Sequence, residues 1–173
     1  MRFLYILVFL TASLNAQVLI SPQESMKMAF GEDITLTKKN ILLKKTQAEK
    51  IQESAKVKLS TKIYRILSAS RDSKIIGYGI LINQKVRSKN AVIMYHILND
   101  STLNSIEIIA FNEPLEYIPS KNWNEQFNKT KTDKMLRLSR DIPTISGATL
   151  SARAITDASR IAFGIYNELL KDK

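Results

Sequence analysis

The chain contains no cysteine and only one histidine, His96, among its 173 residues. Disulfides, zinc–thiolate sites, cysteine nucleophiles and iron–sulfur clusters are therefore excluded, and so is a metal site built on several imidazoles. Glycine and proline are scarce, with five and four residues, so the composition is not that of a low-complexity or disordered chain. We expect one domain, because 173 residues are enough for a core and no linker or internal repeat is visible.

Acidic residues are also scarce, with 16 Asp and Glu against 26 Lys and Arg, which gives a formal net charge of +10 at pH 7. The basic residues are scattered and are not interleaved with aromatic residues, so we expect no nucleic-acid partner. Attraction to anionic lipid headgroups explains such a charge better, and association with a membrane surface is therefore a partner hypothesis.

Residues 1–16 read MRFLYILVFLTASLNA and have the order of a signal peptide. Arg2 supplies a positive start, residues 3–10 are apolar, and the segment ends at Ala16, a plausible cleavage point. An uncleaved membrane anchor is the alternative, because apolar character returns at 18–20 and about 17–25 residues are needed to span a bilayer. Both alternatives predict a periplasmic or other extracytoplasmic location.

The N-terminal region, residues 17–70, shows two capping boxes. One predicts a helix from Ser21 to Phe30, and the other predicts a helix that opens at Thr46. A short strand is predicted at 34–37. Segments rich in Ile, Val, Leu and Tyr predict four further strands, at 63–67, 75–82, 91–98 and 103–111. Short links between successive strands are typical of an antiparallel meander.

The C-terminal part predicts two more helices. Residues 112–119 contain two prolines and cannot form a continuous helix, whereas Ser120 is predicted to cap a short helix that carries Trp123 and Phe127. Residues 128–140 are polar and predict a surface loop. A long helix from about Ser151 to Leu170 is indicated by apolar residues that recur three and four positions apart: Ile155, Ala158, Ala162, Ile165 and Leu169. We therefore predict an α+β fold, an antiparallel sheet meander flanked by helices in a single domain.

A run of small and hydroxyl residues, Ser146-Gly147-Ala148-Thr149-Leu150-Ser151, precedes that long helix. A small-residue turn at a helix start leaves backbone N–H groups free and lets a phosphate approach closely. Ser151 is predicted as the N-cap or a first-turn residue, and Arg153 follows in the first turn, where it can add charge-assisted hydrogen bonds. On spacing alone, an ordinary N-cap loop remains the alternative.

The run resembles the flavinylation motif of the FMN-binding domain family, in which the Thr of Ser-Gly-Ala-Thr carries FMN through a phosphoester. The family includes the flavin-carrying subunits of the Rnf complex and of the sodium-pumping NADH:quinone oxidoreductase. The segments 77–79 and 111–127 are also similar to family segments, and residues 71–173 are expected to form the FMN-binding core. One departure is Pro143, where the family often has Asp.

The resemblance implies that Thr149 is the covalent attachment point of FMN and that no metal is bound. The neighbouring cofactor-binding residues implied by the motif are Ser146, Gly147, Ala148, Leu150, Ser151 and Arg153. It further implies a periplasmic flavin transferase and membrane or periplasmic redox partners, and an electron carrier in preference to a stand-alone enzyme, with no catalytic residues assigned. A flavin-free, membrane-associated binding or sensory module of the same fold is the alternative, and an enzyme that reduces a small acceptor itself is a third hypothesis.

Other polar and aromatic residues favour structural roles. Glu113 and Glu116 are three positions apart, but an intervening proline breaks helical spacing, so we expect Glu113 to shape a loop near the flavin. His96 lies on a predicted strand and favours packing, with a place near the isoalloxazine or as a heme ligand as alternatives. Stacking of Tyr78 or Trp123 on the flavin is a further hypothesis.

Overall fold

Five antiparallel strands form one sheet in which every strand lies beside its neighbour in sequence. The computed structural model describes residues 18–171, and the predicted signal peptide lies outside them. The strands are β1 (Thr35–Leu42), β2 (Ile63–Arg71), β3 (Lys74–Lys85), β4 (Asn90–Leu98) and β5 (Leu103–Phe111). The helices are α1 (Pro22–Phe30), α2 (Lys45–Ala55), α3 (Lys121–Glu125) and α4 (Thr149–Leu169), with a 3-10 turn at Leu115–Tyr117. The predicted α+β meander is confirmed.

Helix α4 packs with α2 on one face of the sheet. The predicted apolar stripe of α4 is buried, and Tyr95 of β4 donates a 2.7 Å hydrogen bond to the Ile155 carbonyl. Gly164 lets α2 approach closely, since a Cβ at this position would lie 3.0 Å from Ile51 Cγ2. The helix begins at Thr149 with Ala148 as its N-cap. Of the two positions predicted for Ser151, the N-cap is therefore excluded and the first turn is confirmed, and the residue is buried there.

Helix α1 packs on the opposite face of the sheet. Gly77 and Gly79 of β3 lie directly under it, and a Cβ on either would collide with Phe30 or Met26. Side chains of β3 alternate between the two faces, so Tyr78, between the glycines, points toward α4 and contacts Tyr166 edge-to-face at 6.0 Å. The Gly-Tyr-Gly segment therefore serves packing on both faces.

The predicted boundaries differ from the structure mainly in the N-terminal region. Ser21 is confirmed as the N-cap of α1, since its Oγ accepts from the Glu24 N–H at 3.1 Å, whereas the return bond from the Glu24 side chain that completes a capping box is not formed. The box predicted at Thr46 is wrong, because Lys44 is the N-cap and its N–H donates to the Gln47 side chain at 2.9 Å. Strand β1 extends to Leu42, well beyond 37, because pairing with β2 continues along its whole length.

Both ends of the outer edge of β5 are covered by neighbouring segments. Val18 forms a bridge to Ala110, and the Leu19 N–H donates to the Ile109 carbonyl at 2.9 Å. At the other end, residues 129–131 pair with Leu103 and its neighbour. The stretch 128–140 has no regular helix, as predicted, but it is not wholly a surface loop because Leu136 is buried. Within residues 18–171, no helix has the length and hydropathy needed to cross a membrane.

Candidate functional site

A tight turn precedes α4 and exposes the hydroxyl run. The Ala148 N–H donates to the Ile145 carbonyl at 3.1 Å, and Gly147 has a φ of +79°, as the third position of a type II turn requires. A Cβ on Gly147 would meet no atom within 4 Å, so the turn opens to solvent. Thr149 is exposed, and its hydroxyl donates to the same Ile145 carbonyl at 3.2 Å.

The first turn of α4 leaves several donors without acceptors. The first main-chain bond of the helix joins the Ala152 N–H to the Ala148 carbonyl, and no side chain caps the helix. Within the part of the chain that the structure describes, the N–H groups of Thr149, Leu150 and Ser151 have no hydrogen-bond acceptor. Such groups carry the positive end of the helix dipole, so this end of α4 attracts an anion.

A cleft of about 320 Å³ lies beside the turn. One wall is the start of α4 and the turn before it, and the other is the loop between β3 and β4. Its lining residues are Val86, Arg87, Glu113, Tyr117, Gly147, Ala148, Thr149, Leu150 and Ser151. The cleft therefore joins an anion-attracting helix end to apolar and aromatic side chains that can contact a planar ring.

Glu113 clamps the loop that forms the second wall. Its carboxylate accepts hydrogen bonds from the N–H groups of Lys89 at 2.7 Å, Ser88 at 2.6 Å and Arg87 at 3.2 Å. These N–H groups, that of Lys89 first, hold the pKa of Glu113 below its ordinary value. The expected loop-shaping role of Glu113 is confirmed, and Glu116 is exposed on the adjacent 3-10 turn.

Trp123 supports the first wall from behind. Its indole N–H donates to the Pro143 carbonyl at 2.9 Å, and its ring packs edge-to-face on Phe127 at 5.2 Å. The indole is 7% exposed and does not line the cleft. Trp123 therefore fixes the segment that leads into the turn, and it does not offer its ring to a ligand in this cleft.

Five of the seven residues that the motif implied line the cleft: Gly147, Ala148, Thr149, Leu150 and Ser151. Ser146 is exposed in the turn but does not line the cleft. Arg153 is exposed, lies one helical turn after Thr149, and forms no ion pair with any residue from 18 to 171. Arg160 is paired with Asp157 about 16 Å farther along the axis, too far to reach the turn.

Sequence reasoning missed the wall opposite the motif. Val86, Arg87 and Tyr117 line the cleft, and none of them was predicted as a site residue. These residues lie in connecting segments and approach the hydroxyl run only when the chain folds, so no periodic pattern in the sequence identifies them. Glu113 before a proline was the one signal there, and its partners could not be named without the tertiary structure.

Two other candidate residues lie away from the cleft. Tyr78 is 3% exposed and packed under α4, so it cannot stack on a ligand in the cleft. His96 faces α1 on the opposite side of the sheet, with Nε2 3.0 Å from Ser25 Oγ and Nδ1 2.9 Å from Ser105 Oγ. Burial lowers the pKa of His96 to about 4. The packing role is confirmed, and His96 does not line the cleft beside Thr149.

The fold and cleft define a class, an α+β domain in which a helix N-terminus at a surface cleft is open to an anionic ligand. Residues 87–163 match the model of the FMN-binding domain family. The match runs from the loop wall of the cleft through Glu113 and the turn into α4. No curated protein matches the chain. The match supports a flavin-binding role with FMN as the ligand.

The residues of the cleft fit FMN. The N–H groups at the start of α4 suit a phosphate, and Gly147 leaves open space where a side chain would stand. Val86, Tyr117 and Leu150 offer apolar and aromatic surface to a ring system. No residue of the lining would have to be displaced for the phosphate end to reach Thr149.

Proposed function

We propose that the protein is an extracytoplasmic electron carrier that holds FMN through a phosphoester on Thr149. One observation carries the proposal: Thr149 is exposed at the first position of α4, beside an open glycine turn and beside three N–H groups without acceptors in residues 18–171. A phosphate ester on this hydroxyl would lie against those donors. The resemblance of Ser146 to Ser151 to the flavinylation motif supports the same attachment point.

The attachment step balances with FAD as donor. The Thr149 oxygen forms a bond to the phosphorus of the FMN half, the pyrophosphate bond of FAD breaks, AMP leaves, and the hydroxyl proton passes to a base of the transferase. A periplasmic flavin transferase supplies this reaction in the proposal. The step costs Thr149 its bond to the Ile145 carbonyl, while the bond from the Ala148 N–H to that carbonyl keeps the turn in place.

The chain's own residues would then bind the ester phosphate and orient the flavin. The N–H groups of the first turn neutralise the ester phosphate, and Arg153, four positions after Thr149, lies on the same side of the helix. Glu113 holds the loop of Val86 and Arg87 in place as the facing wall. When bound, FMN supplies the acceptance and release of one or two electrons, whose energy depends on its protein contacts.

The proposal places the carrier between redox partners. The signal-peptide pattern of residues 1–16 supports an extracytoplasmic location, where a covalent link keeps flavin from diffusing away. Membrane or periplasmic proteins would then deliver and remove electrons. The carboxylate of Glu113 in the cleft is committed to backbone N–H groups.

The test is the intact mass of the protein secreted with and without a flavin transferase. We expect a gain of one FMN less water with the transferase, retained in Ser146→Ala and Ser151→Ala and lost in Thr149→Ala. A modified control substrate confirms that the transferase is competent. An unmodified mass under those conditions would reject covalent attachment and favour a flavin-free module, whereas a gain that survives Thr149→Ala would reject Thr149 as the site.

A further inference from the structure

Helix α1 covers only part of its face of the sheet. It packs against Gly77, Gly79 and Met94, and no element within residues 18–171 covers the strand ends beyond these positions or the exposed edge strand β1 beside them. We call this uncovered part the bare face; its residues used below are Val18, Lys38, Leu42, Ile63 and Arg65, and the half-buried Val92 lies at its border. Such a face is ordinarily polar, because water covers it.

The bare face instead exposes large aliphatic side chains. Val18 is 65%, Leu42 70% and Ile63 62% exposed. Leu42 pairs with Ile63, and Val92 pairs with Ala110, which in turn bridges to Val18. Paired residues of antiparallel strands project to the same side, so these side chains lie on one surface. Aliphatic side chains so exposed, on the face that sheets usually turn to water, indicate a partner surface.

Cations surround the two aliphatic residues at the β1–β2 end. The segments 36–44 and 62–67 contain five Lys and Arg and no acidic residue. Strand alternation places Lys38 and Arg65 on the same side as Leu42 and Ile63, whereas Lys44 and Lys62 flank these two residues along the chain. Lys38, Lys39, Lys44 and Lys62 form no ion pair with any residue the structure describes. Within residues 18–171, the positive charge of these lysines is therefore not neutralised by ion pairs.

The bare face lies at the same end of the sheet as the cleft. Val86 follows β3 directly, and the strand positions before it, Asn83 and Gln84, pair with Val92 and Ala91. The chain also enters the described part at Val18 on this face, immediately after the apolar segment predicted as signal or anchor. A partner on the bare face would thus lie near both the cleft and the N-terminal segment.

We propose that the bare face docks on the surface of a bilayer that contains anionic lipids. Exposed aliphatic side chains surrounded by lysines are the pattern of interfacial binding, in which apolar groups enter the headgroup region and cations meet lipid phosphates. Docking brings the cleft end of the molecule to the membrane. The consequence that electrons are exchanged there rests on the proposed function, whereas the docking itself does not.

The test is flotation of the secreted protein with vesicles of phosphatidylcholine, alone or mixed with phosphatidylglycerol. We expect binding to the mixed vesicles only, weakened by salt, and weakened about tenfold or more by Lys38→Glu with Arg65→Glu, since each cation near an anionic surface counts for about fivefold. Leu42→Thr with Ile63→Thr places β-branched residues, which favour strands, at both positions and should also weaken binding. Lys129→Glu with Lys171→Glu makes the same charge change at the far end of the sheet and should have a much smaller effect.

Three results would overturn the proposal. Equal binding to both vesicle types that no variant changes would assign membrane contact to residues 1–17. No vesicle binding, with a dimer in gel filtration that the Leu42/Ile63 variant abolishes, would assign the face to a second copy. A loss of vesicle binding in the Lys129/Lys171 variant as large as that in the Lys38/Arg65 variant would show that binding depends on net charge and not on the bare face. Flavin attachment, measured by mass, is independent of all three, so failure of the docking and of the proposed function are distinguishable.

Discussion

The carboxylate of Glu113 lies 2.7 Å from the backbone nitrogen of Lys89 and accepts its hydrogen bond. The same oxygen accepts from Ser88 at 2.6 Å, so an acidic residue after β5 fixes the shape of the loop that joins β3 to β4. Because that loop is one wall of the cleft beside Thr149, the clamp links the end of the sheet to the geometry of the cleft.

Replacing Glu113 by Ala should release this loop. The N–H groups of Ser88 and Lys89 lose their acceptor, so we expect their amide hydrogen exchange to accelerate strongly, with a smaller change for Glu113→Gln, whose side-chain oxygen still accepts. The pKa of Glu113 is depressed in the folded state, so its contribution is present above the ordinary value near 4.5 and is lost as pH falls through the folded pKa. Unchanged exchange at both amides in the alanine variant would show that the clamp does not order the loop.

Replacing Gly147 by Ala should strain the turn before α4. A φ of +79° disfavours a residue with a Cβ by about 1–2 kcal/mol, and no steric contact adds to this cost because the space around the Cα is open. We expect urea unfolding to report a loss of about that size and flavin attachment to fall. Gly147→Asn is the matched control, since Asn tolerates positive φ, and it should stay closer to the wild type. Equal losses from both variants would contradict this account.

Acid should destabilise the fold through His96. Burial lowers its pKa to about 4, so between pH 6.5 and 4 the unfolded chain takes up a proton that the folded chain does not. The His96 contribution to stability should therefore be unchanged above pH 6.5, decrease by about 3 kcal/mol toward pH 4 and stay constant below it. Urea unfolding at several pH values measures this decrease. His96→Gln removes the group while keeping polar contact with Ser25 and Ser105, and it should show a shallower decrease; an identical pH dependence would reject the assignment to His96.

The elements with strong local patterns were predictable. The four later strands, the helix that begins after Ser21 and the apolar stripe of α4 follow from alternation, capping and three-four spacing, and the structure confirms them. The observed boundaries differ from the predicted ones where pairing with a distant segment sets the length of an element. Strand β1, for example, continues to Leu42 because β2 pairs with it along its whole length. Helix α4 begins at Thr149, two residues before the predicted start at Ser151, because the turn at Gly147 ends at Ala148 and the helix follows directly.

The candidate site was predictable on one side only. The hydroxyl run was identified by its residue types, since small residues, a glycine and a threonine before a helix carry their chemistry locally. The opposing wall was not, because Arg87 and Tyr117 approach the run only when β4 and β5 are packed under α4. The role of Trp123 could not be predicted either, because its hydrogen-bond partner is the Pro143 carbonyl, twenty residues farther along the chain.

The sequence by itself determined the order of the elements, the position of the flavin-type motif, the absence of cysteine chemistry and the excess of positive charge. These depend on residue types and on spacing along the chain, which folding does not alter. The tertiary structure alone decided which loop faces Thr149, on which side of the sheet His96 lies, and that exposed Leu42 and Ile63 share a surface with unpaired lysines. These are relations between residues far apart in sequence, and only the pairing of strands and the packing of helices brings them together.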